Sequence, residues 1–323
     1  MSAAQPSIPP PHPVPQAGHA GEVYRVTVLG LVVNLALTAG KFVAGVMASS
    51  QALVADGVHS LSDLSTDIAV LVGVRYWSAP ADEDHPYGHG RIETLISLFI
   101  GAALAAVGVG IAWRALVTLM EPHRTVPGWA AFAVACASIV SKEIVYRWTV
   151  RVGRRVKSPA VIANAWHHRS DAFSSVPVAV AVVAARVWPD WAFLDHIAAL
   201  IVTAMILQAA WEIARPALGQ LIDAGATADQ RDALLRLARE TQGVRTAHRL
   251  RTRHIGTGLQ VDLHVLVDPD LTVRQGHDIA DAVKARLLSD GEEIVDVLVH
   301  VEPFDGEGDD RTAASRQTNS DAP

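Results

Sequence analysis

Six long apolar stretches, at approximately Val26–Met47, Ala52–Tyr76, Ile92–Leu119, Trp129–Trp148, Ala160–Val187 and Trp191–Ile213, limit what this chain can fold into more than any other feature. Each is close to or above the roughly 20 residues an α-helix needs to cross the hydrocarbon core of a bilayer. Composition agrees: 50% of the residues are hydrophobic and 19% charged, against about 25% charged in ordinary soluble domains. Trp77, Trp129, Trp148, Trp188, Trp191 and Trp211 gather near the ends of the stretches, as an interfacial belt would place them. The third stretch carries Gly101, Ala102, Ala105, Ala106, Gly108 and Gly110, small residues that let helices approach closely. A net charge of −6 argues against a nucleic-acid partner, which would want a basic face. The single cysteine, Cys136, cannot form an internal disulfide and reads as a small buried hydrophobe.

Basic residues orient the spans. Arg147, Arg151, Arg154, Arg155 and Lys157 join the fourth to the fifth, whereas the loops after the first, third and fifth hold few positive charges. That connection is therefore expected in the cytoplasm, and with six spans both termini as well. Residues 1–21, rich in Pro, Ala and His, have neither the basic start nor the apolar core of a cleavable signal peptide. They read as a disordered lead, and the residues from about Gly306 onward as a disordered tail. A bilayer is the first expected partner, and the absence of targeting peptides fits a bacterial cytoplasmic membrane.

The segment after the last span has a different rhythm. Asp229–Thr241 has helical spacing, with Leu234, Leu235 and Leu237 to one side. Strand-like runs follow at about Val244–Arg253 and Gly258–Val267, and in the second Leu259, Val261, Leu263, Val265 and Val267 alternate with Gln260, Asp262, His264 and Leu266. A helix at Val273–Leu288 and a strand at Ile294–Val301 complete the order α-β-β-α-β. The expected fold class is a membrane α-helical bundle of six transmembrane helices with a small carboxy-terminal α+β domain, helices on one face of a sheet. The expected organisation is the lead at 1–21, a transmembrane domain at 22–216, a soluble domain at 217–305 and the tail at 306–323.

The second span is where the chemistry concentrates. Asp56, His59, Asp63 and Asp67 fall at offsets of three, four and four, along one helical stripe. A charged carboxylate in the bilayer costs at least about 2.5–3.5 kcal/mol, so such a stripe requires partners or a water-filled cavity. The fifth span supplies His167 and Asp171, again one turn apart. Two His-xxx-Asp pairs offer two imidazole nitrogens and two carboxylate oxygens, enough to close a tetrahedron around Zn2+. Such ligands shed protons to bind a metal, which links metal arrival to proton departure. The competing reading is that these groups neutralise Lys41, Lys142 or Arg147 and glue helices together. Two pairs of identical spacing weigh against it. Asp56 and Asp67 are open between an access path and an ion pair with Lys41 or Lys142, and His168 faces away from the stripe, as an interfacial side chain would.

The motifs HSLSD in the second span, HHRSD in the fifth and PADEDHPYGHGR between the second and third resemble the cation diffusion facilitator family, from about Tyr24 to Pro303. The resemblance implies a homodimer, six transmembrane helices per protomer, and a cytoplasmic metallochaperone-like domain. It further implies exchange of cytoplasmic Zn2+, Fe2+, Mn2+, Co2+ or Cd2+ for protons by alternating access. Its transport site maps onto His59, Asp63, His167 and Asp171. Some bacterial members carry Asp where this chain has His59, and the all-carboxylate or Asn-containing patterns associated with manganese are absent, which favours zinc or cobalt.

The resemblance maps a second site onto Asp82, His85 and His89. Without it, the loop with Asp82, Glu83, Asp84, His85 and His89 still has ligand types at plausible spacing, with a solvated acidic turn as the alternative. In the soluble segment, alternation puts His264 and His300 on the polar faces of their strands, with Glu302 on the face of His300. The resemblance maps a dimer-interface metal site onto His248, His264, His277, His300 and Glu302; His254 reads as a surface residue. The function expected is export of a divalent transition metal, Zn2+ first with Fe2+, Co2+ and Cd2+ as alternatives, in exchange for protons. No prosthetic group and no enzymatic activity are expected, and Zn2+ doubles as a regulatory ligand. Two other classes compete. An intramembrane metal-dependent hydrolase would want an open coordination position, and no His-Glu-xx-His occurs. A passive channel would want weaker or multiple sites.

Overall fold

The structure, a computed structural model, describes residues 20–77, 79–120, 126–155, 159–256, 258–291 and 293–306. The lead at 1–19, the tail at 307–323 and Lys157 lie outside the described residues, as does the side chain of Asp67. The chain forms two compact units, Met1–Leu71 with Phe99–Ile213 and Val72–Leu98 with Ala214–Pro323.

Among the described residues seven α-helices occupy the apolar half: α1 (Ala20–Met47), α2 (Gln51–Trp77), α3 (Arg91–Leu119), α4 (Trp129–Arg155), α5 (Pro159–Ala172), α6 (Ser175–Val187) and α7 (Leu194–Leu221). Among the described residues five segments are long and apolar enough to cross a membrane: Tyr24–Met47, Arg91–Leu119, Trp129–Arg155, Asn164–Val187 and Pro189–Leu221. The remaining expected span, the second, is α2, which has the length at 27 residues. Its composition, with Asp56, His59, Asp63 and Asp67, sets it apart. The bundle turns apolar side chains outward, with Val46 71%, Phe99 75% and Trp113 71% exposed, as lipid-facing positions require.

The interior of this unit is built largely from alanine. Ala44, Ala48, Ala52, Ala55, Ala131, Ala135, Ala179 and Ala198 are buried in one cluster with Leu53, Val178, Val182, Val202 and Ile206. Small side chains let helices come close where lipid supplies no hydrophobic drive to pack them. Gly108 of α3 shows this: a Cβ there would fall 3.0 Å from Leu207 Cδ2 of α7. The start of α2 is capped from another helix. Asp195 accepts hydrogen bonds from the Ser50 hydroxyl and the Gln51 backbone N–H, each at 2.6 Å, and from the Ala52 N–H at 3.3 Å. Those backbone groups have no partner inside their own helix, and a carboxylate suits the positive end of the helix dipole.

The fifth expected span is not one helix. It breaks between Ala172 and Ser175, and the cause is Pro177. Proline has no N–H to give to the carbonyl four residues earlier, and its ring crowds that carbonyl. That carbonyl belongs to Phe173, and it accepts instead from the Val176 N–H at 3.2 Å in a tighter turn.

The second unit holds an α+β domain of α8 (Ala228–Arg239), β1 (Thr246–Ile255), β2 (Gly258–Val267), α9 (Val273–Asp290) and β3 (Ile294–Pro303). The α-β-β-α-β order is the expected one. The sheet runs β1-β2-β3, with β1 antiparallel and β3 parallel to β2. Alternation along β2 puts Leu259, Val261, Leu263, Val265 and Val267 into a core with Leu234 and Ala238 of α8 and Val283 and Leu287 of α9. Both helices begin in a capping box, Thr227 with Gln230 and Thr272 with Gln275, which fixes their first residues. In β1 the pairing with β2 shifts between His248 and Arg251, and Arg249 has φ 47°, the left-handed geometry of a β-bulge. The same unit includes the segment before α3 and the end of α7. Arg91 pairs with Asp223 at 2.8 Å, Thr94 donates to Gln220 at 2.6 Å, and Gln220 donates to the Gly256 carbonyl at 3.0 Å.

Candidate metal centres

The first cluster lies in the bundle. His59 and Asp63 are one turn apart on α2, and Asp171 stands in the last turn of α5, just before the break. One ligand atom from each lies within 4.8 Å of the others. His59 is 8% and Asp171 5% exposed. The buried His59 Nδ1 has no hydrogen-bond partner among the described residues, which suits a nitrogen that binds a metal. His167, the fourth expected ligand, is placed beside this trio and not within it. Its Nδ1 is 3.7 Å from Asp171 Oδ1, and its side chain is 55% exposed. The described donor set is thus one imidazole and two carboxylates, harder than the two-nitrogen, two-oxygen set expected.

Asp56, whose role the sequence leaves open, is fully buried and structural in its contacts. It pairs with Lys41 at 2.8 Å and accepts the hydroxyls of Ser174 and Ser175, each at 2.6 Å. Lys41 also donates to Ser60 at 2.9 Å. Lys142 of α4 reaches the other carboxylate, with Nζ 3.3 Å from Asp171 Oδ2. Sequence reasoning missed the serines, although a Ser-Ser pair two residues before a proline is a legible sign of a helix break with hydroxyls at hand. His168, expected at an interface, packs against α1 instead. Gly30 makes the room, since a Cβ there would sit 3.1 Å from His168 Nε2.

The second cluster joins Asp82, His85 and His89, again with ligand atoms within 4.8 Å. Asp82 Oδ1 accepts from the His85 backbone N–H at 2.6 Å and lies 3.1 Å from its Nδ1, and Asp82 Oδ2 is 3.3 Å from His89 Nε2. The hydrogen bond from the His85 N–H holds the Asp82 carboxyl below the usual carboxylate range. Gly88, at φ 80°, lies in the turn between His85 and His89, whose rings meet at a tilt of 42° with 4.4 Å between centroids.

The third cluster follows from strand register. His248 pairs across from His264, and His264 from His300, so one imidazole from each strand lines up across the sheet. Ring centroids are 5.6 Å apart for the first pair and 4.6 Å for the second. Glu302, two residues beyond His300 and so on the same face, accepts from His248 Nε2 at 2.9 Å and from His264 Nδ1 at 2.8 Å. Partial burial opposes ionisation of Glu302, and the two imidazole hydrogen bonds outweigh it, so its carboxyl titrates below its ordinary value. His248, His264 and Glu302 have ligand atoms within 4.8 Å. Two nitrogens and a carboxylate fit Zn2+. His300 Nε2 stands 3.6 Å from Glu302 Oε1, while His277 lies on α9 with its own partner, Asp281, at 3.4 Å, and is not brought into the group.

Residues 27–222 match the family model of the cation efflux transmembrane domain, and residues 226–304 that of the cation efflux protein cytoplasmic domain. Metal tolerance protein C1 of Arabidopsis thaliana is 35% identical over 301 residues, 88% of this chain; the chain spans only 63% of that protein's length. The manganese efflux system protein MneP of Bacillus subtilis is 32% identical over 285 residues, 87% of this chain and 96% of MneP. The magnetosome protein MamB of a Magnetospira species is 32% identical over 271 residues, 84% of this chain and 92% of MamB. With apolar helices long enough to span a bilayer, and with both halves matched in order, this is a multi-pass integral membrane protein. The chain belongs to the cation efflux family, the cation diffusion facilitators that its motifs resemble.

Proposed function

We propose that this protein exports a divalent transition-metal cation from the cytoplasm in exchange for protons, with Zn2+ the first candidate. One observation carries the reading: His59, Asp63 and Asp171 converge within 4.8 Å inside a helix bundle. Groups that hold either a metal or protons couple the two by competition. His167 completes a four-ligand site by turning inward from its position beside Asp171. The clusters at Asp82–His89 and at His248, His264 and Glu302 bind Zn2+ as a structural or regulatory ligand. The protein works as a homodimer in a bacterial inner membrane with both termini in the cytoplasm, carries no prosthetic group and catalyses no covalent chemistry.

A second reading, Mn2+ as substrate, is favoured by the harder set of one imidazole and two carboxylates and by the similarity to a manganese efflux protein. Uptake into inside-out vesicles, with Zn2+, Co2+, Fe2+, Cd2+ and Mn2+ in competition, separates the two. Zn2+ outcompeting Mn2+ is the expected result, and the reverse order would overturn the zinc assignment.

A further inference from the structure

The proposed transport site has a cation beside it already. Lys142 projects from the middle of α4, its side chain is 3% exposed, and its Nζ lies 3.3 Å from Asp171 Oδ2. It makes no hydrogen bond among the described residues. The other buried lysine is held differently. Lys41 is 2.8 Å from Asp56, donates to Ser60, and faces a carboxylate whose two oxygens are each bonded to a serine hydroxyl. Lys41 is therefore tied into a network of hydroxyls and a carboxylate, whereas Lys142 is held by its ion pair with Asp171 and donates no hydrogen bond among the described residues. The partner in that pair belongs to the metal-ligand trio.

A divalent ion on Asp171 and an ammonium 3.3 Å from the same carboxylate repel each other at short range, where little water screens them. They cannot both keep their best positions. We propose that Lys142 is the resident cation of the empty transport site: its ammonium neutralises Asp171 when no metal is bound and is displaced when a metal arrives. The inference rests on the transport reading above and deepens it.

Two consequences follow for transport. The empty site is not left with an uncompensated buried carboxylate at Asp171 while the protein returns to reload, a state that is strongly unfavourable. The bound metal meets a tethered competitor that weakens its hold, which favours release. Lys142 acts through Asp171 and is a positioning residue. The nearby Glu143 is engaged with Arg147 at 2.7 Å and Arg169 at 3.6 Å, and is not a substitute partner.

The test uses the full chain reconstituted in liposomes, with initial Zn2+ flux measured against Zn2+ concentration. Lys142→Met keeps length and removes the charge, so it removes the competitor. KM should fall about tenfold or more and kcat should fall with it, because release slows. Lys142→Arg puts a forked, always-charged guanidinium against the same carboxylate, which should compete better and raise KM, by about tenfold. A residue that only props up the bundle would lower the amount of active protein in both variants and leave KM unmoved. If Lys142→Met does not fold, the arginine variant alone decides the question by its KM. A wild-type flux with KM unmoved by the substitutions would overturn this inference alone. Absence of wild-type flux with Zn2+ and with Mn2+ alike would overturn the transport reading and the inference with it.

Discussion

Ser174 donates its hydroxyl hydrogen to Asp56 Oδ1 at 2.6 Å, and so ties the break between α5 and α6 to the second turn of α2. Asp56 has the composition of a metal ligand and the contacts of a bolt, since Lys41 and Ser175 take up its other oxygen. Replacing Asp56 by Ala would leave the Lys41 ammonium buried without a counter-charge, at a cost of about 3–5 kcal/mol. The expected outcome is a marked drop in thermal stability in detergent, most of it recovered in Lys41→Met/Asp56→Leu. An Asp56→Ala protein as stable as the wild type would contradict the assignment.

Asp63→Asn and Asp171→Asn keep shape and remove one charged ligand each from the proposed transport trio. Each should abolish Zn2+ uptake; Asp63→Asn should keep its unfolding temperature to within a few degrees, as expected when only about 1 kcal/mol of stability is lost, whereas Asp171→Asn, which takes the counter-charge from the buried Lys142 ammonium, should lower it further. Undiminished uptake by either variant would sink the site.

In the carboxy-terminal domain Glu302 bridges His248 and His264. Glu302→Ala should lower the Zn2+ bound by residues 217–305, which contain their own core, by about one ion per chain, without unfolding the domain. Calorimetric titration of that fragment reads the stoichiometry. An unchanged value would mean that the carboxylate is a partner of the imidazoles and not of a metal.

Asp296 ties β3 to α9 through Lys284 at 2.9 Å, and that hydrogen bond holds its carboxyl below the usual range. For a depressed carboxyl the stabilisation is present above the unfolded pKa, about 3.9, and is lost as pH falls through the lower folded value. Both side chains are about half exposed, so the pair contributes only about 0.2–1 kcal/mol. Asp296→Asn should therefore lower the urea midpoint of the domain slightly at pH 6, and the gap should close in acid. A gap that persists at the lowest pH would point to packing instead.

Much of this is legible in the sequence, and the exceptions have separate physical causes. Period-2 alternation placed β2 at Gly258–Val267, the range found, because burial on one face leaves a strand no other register. The His59 and Asp63 spacing likewise survived folding, since it is fixed within one helix. What the spacing of His167 and Asp171 could not say is which helix face the last turn of α5 presents. Asp171 is turned inward and His167 mostly outward, a matter of packing between helices. Hydropathy ran straight through Pro177 because Val176 and Val178 flank it, although proline's missing N–H was the local signal for a break. The residue pattern puts β1 two residues early at each end, and the Arg249 bulge shows in backbone conformation and in no residue pattern.

The most direct test of the account is Zn2+ flux in liposomes carrying the full chain, measured with and without an imposed pH gradient, wild type beside Asp171→Asn. The account predicts wild-type flux that speeds up when protons flow opposite to the metal, acidification changes coupled to Zn2+ movement, and neither in the variant. Zn2+ flux equally fast under any gradient, or retained in Asp171→Asn, would contradict it.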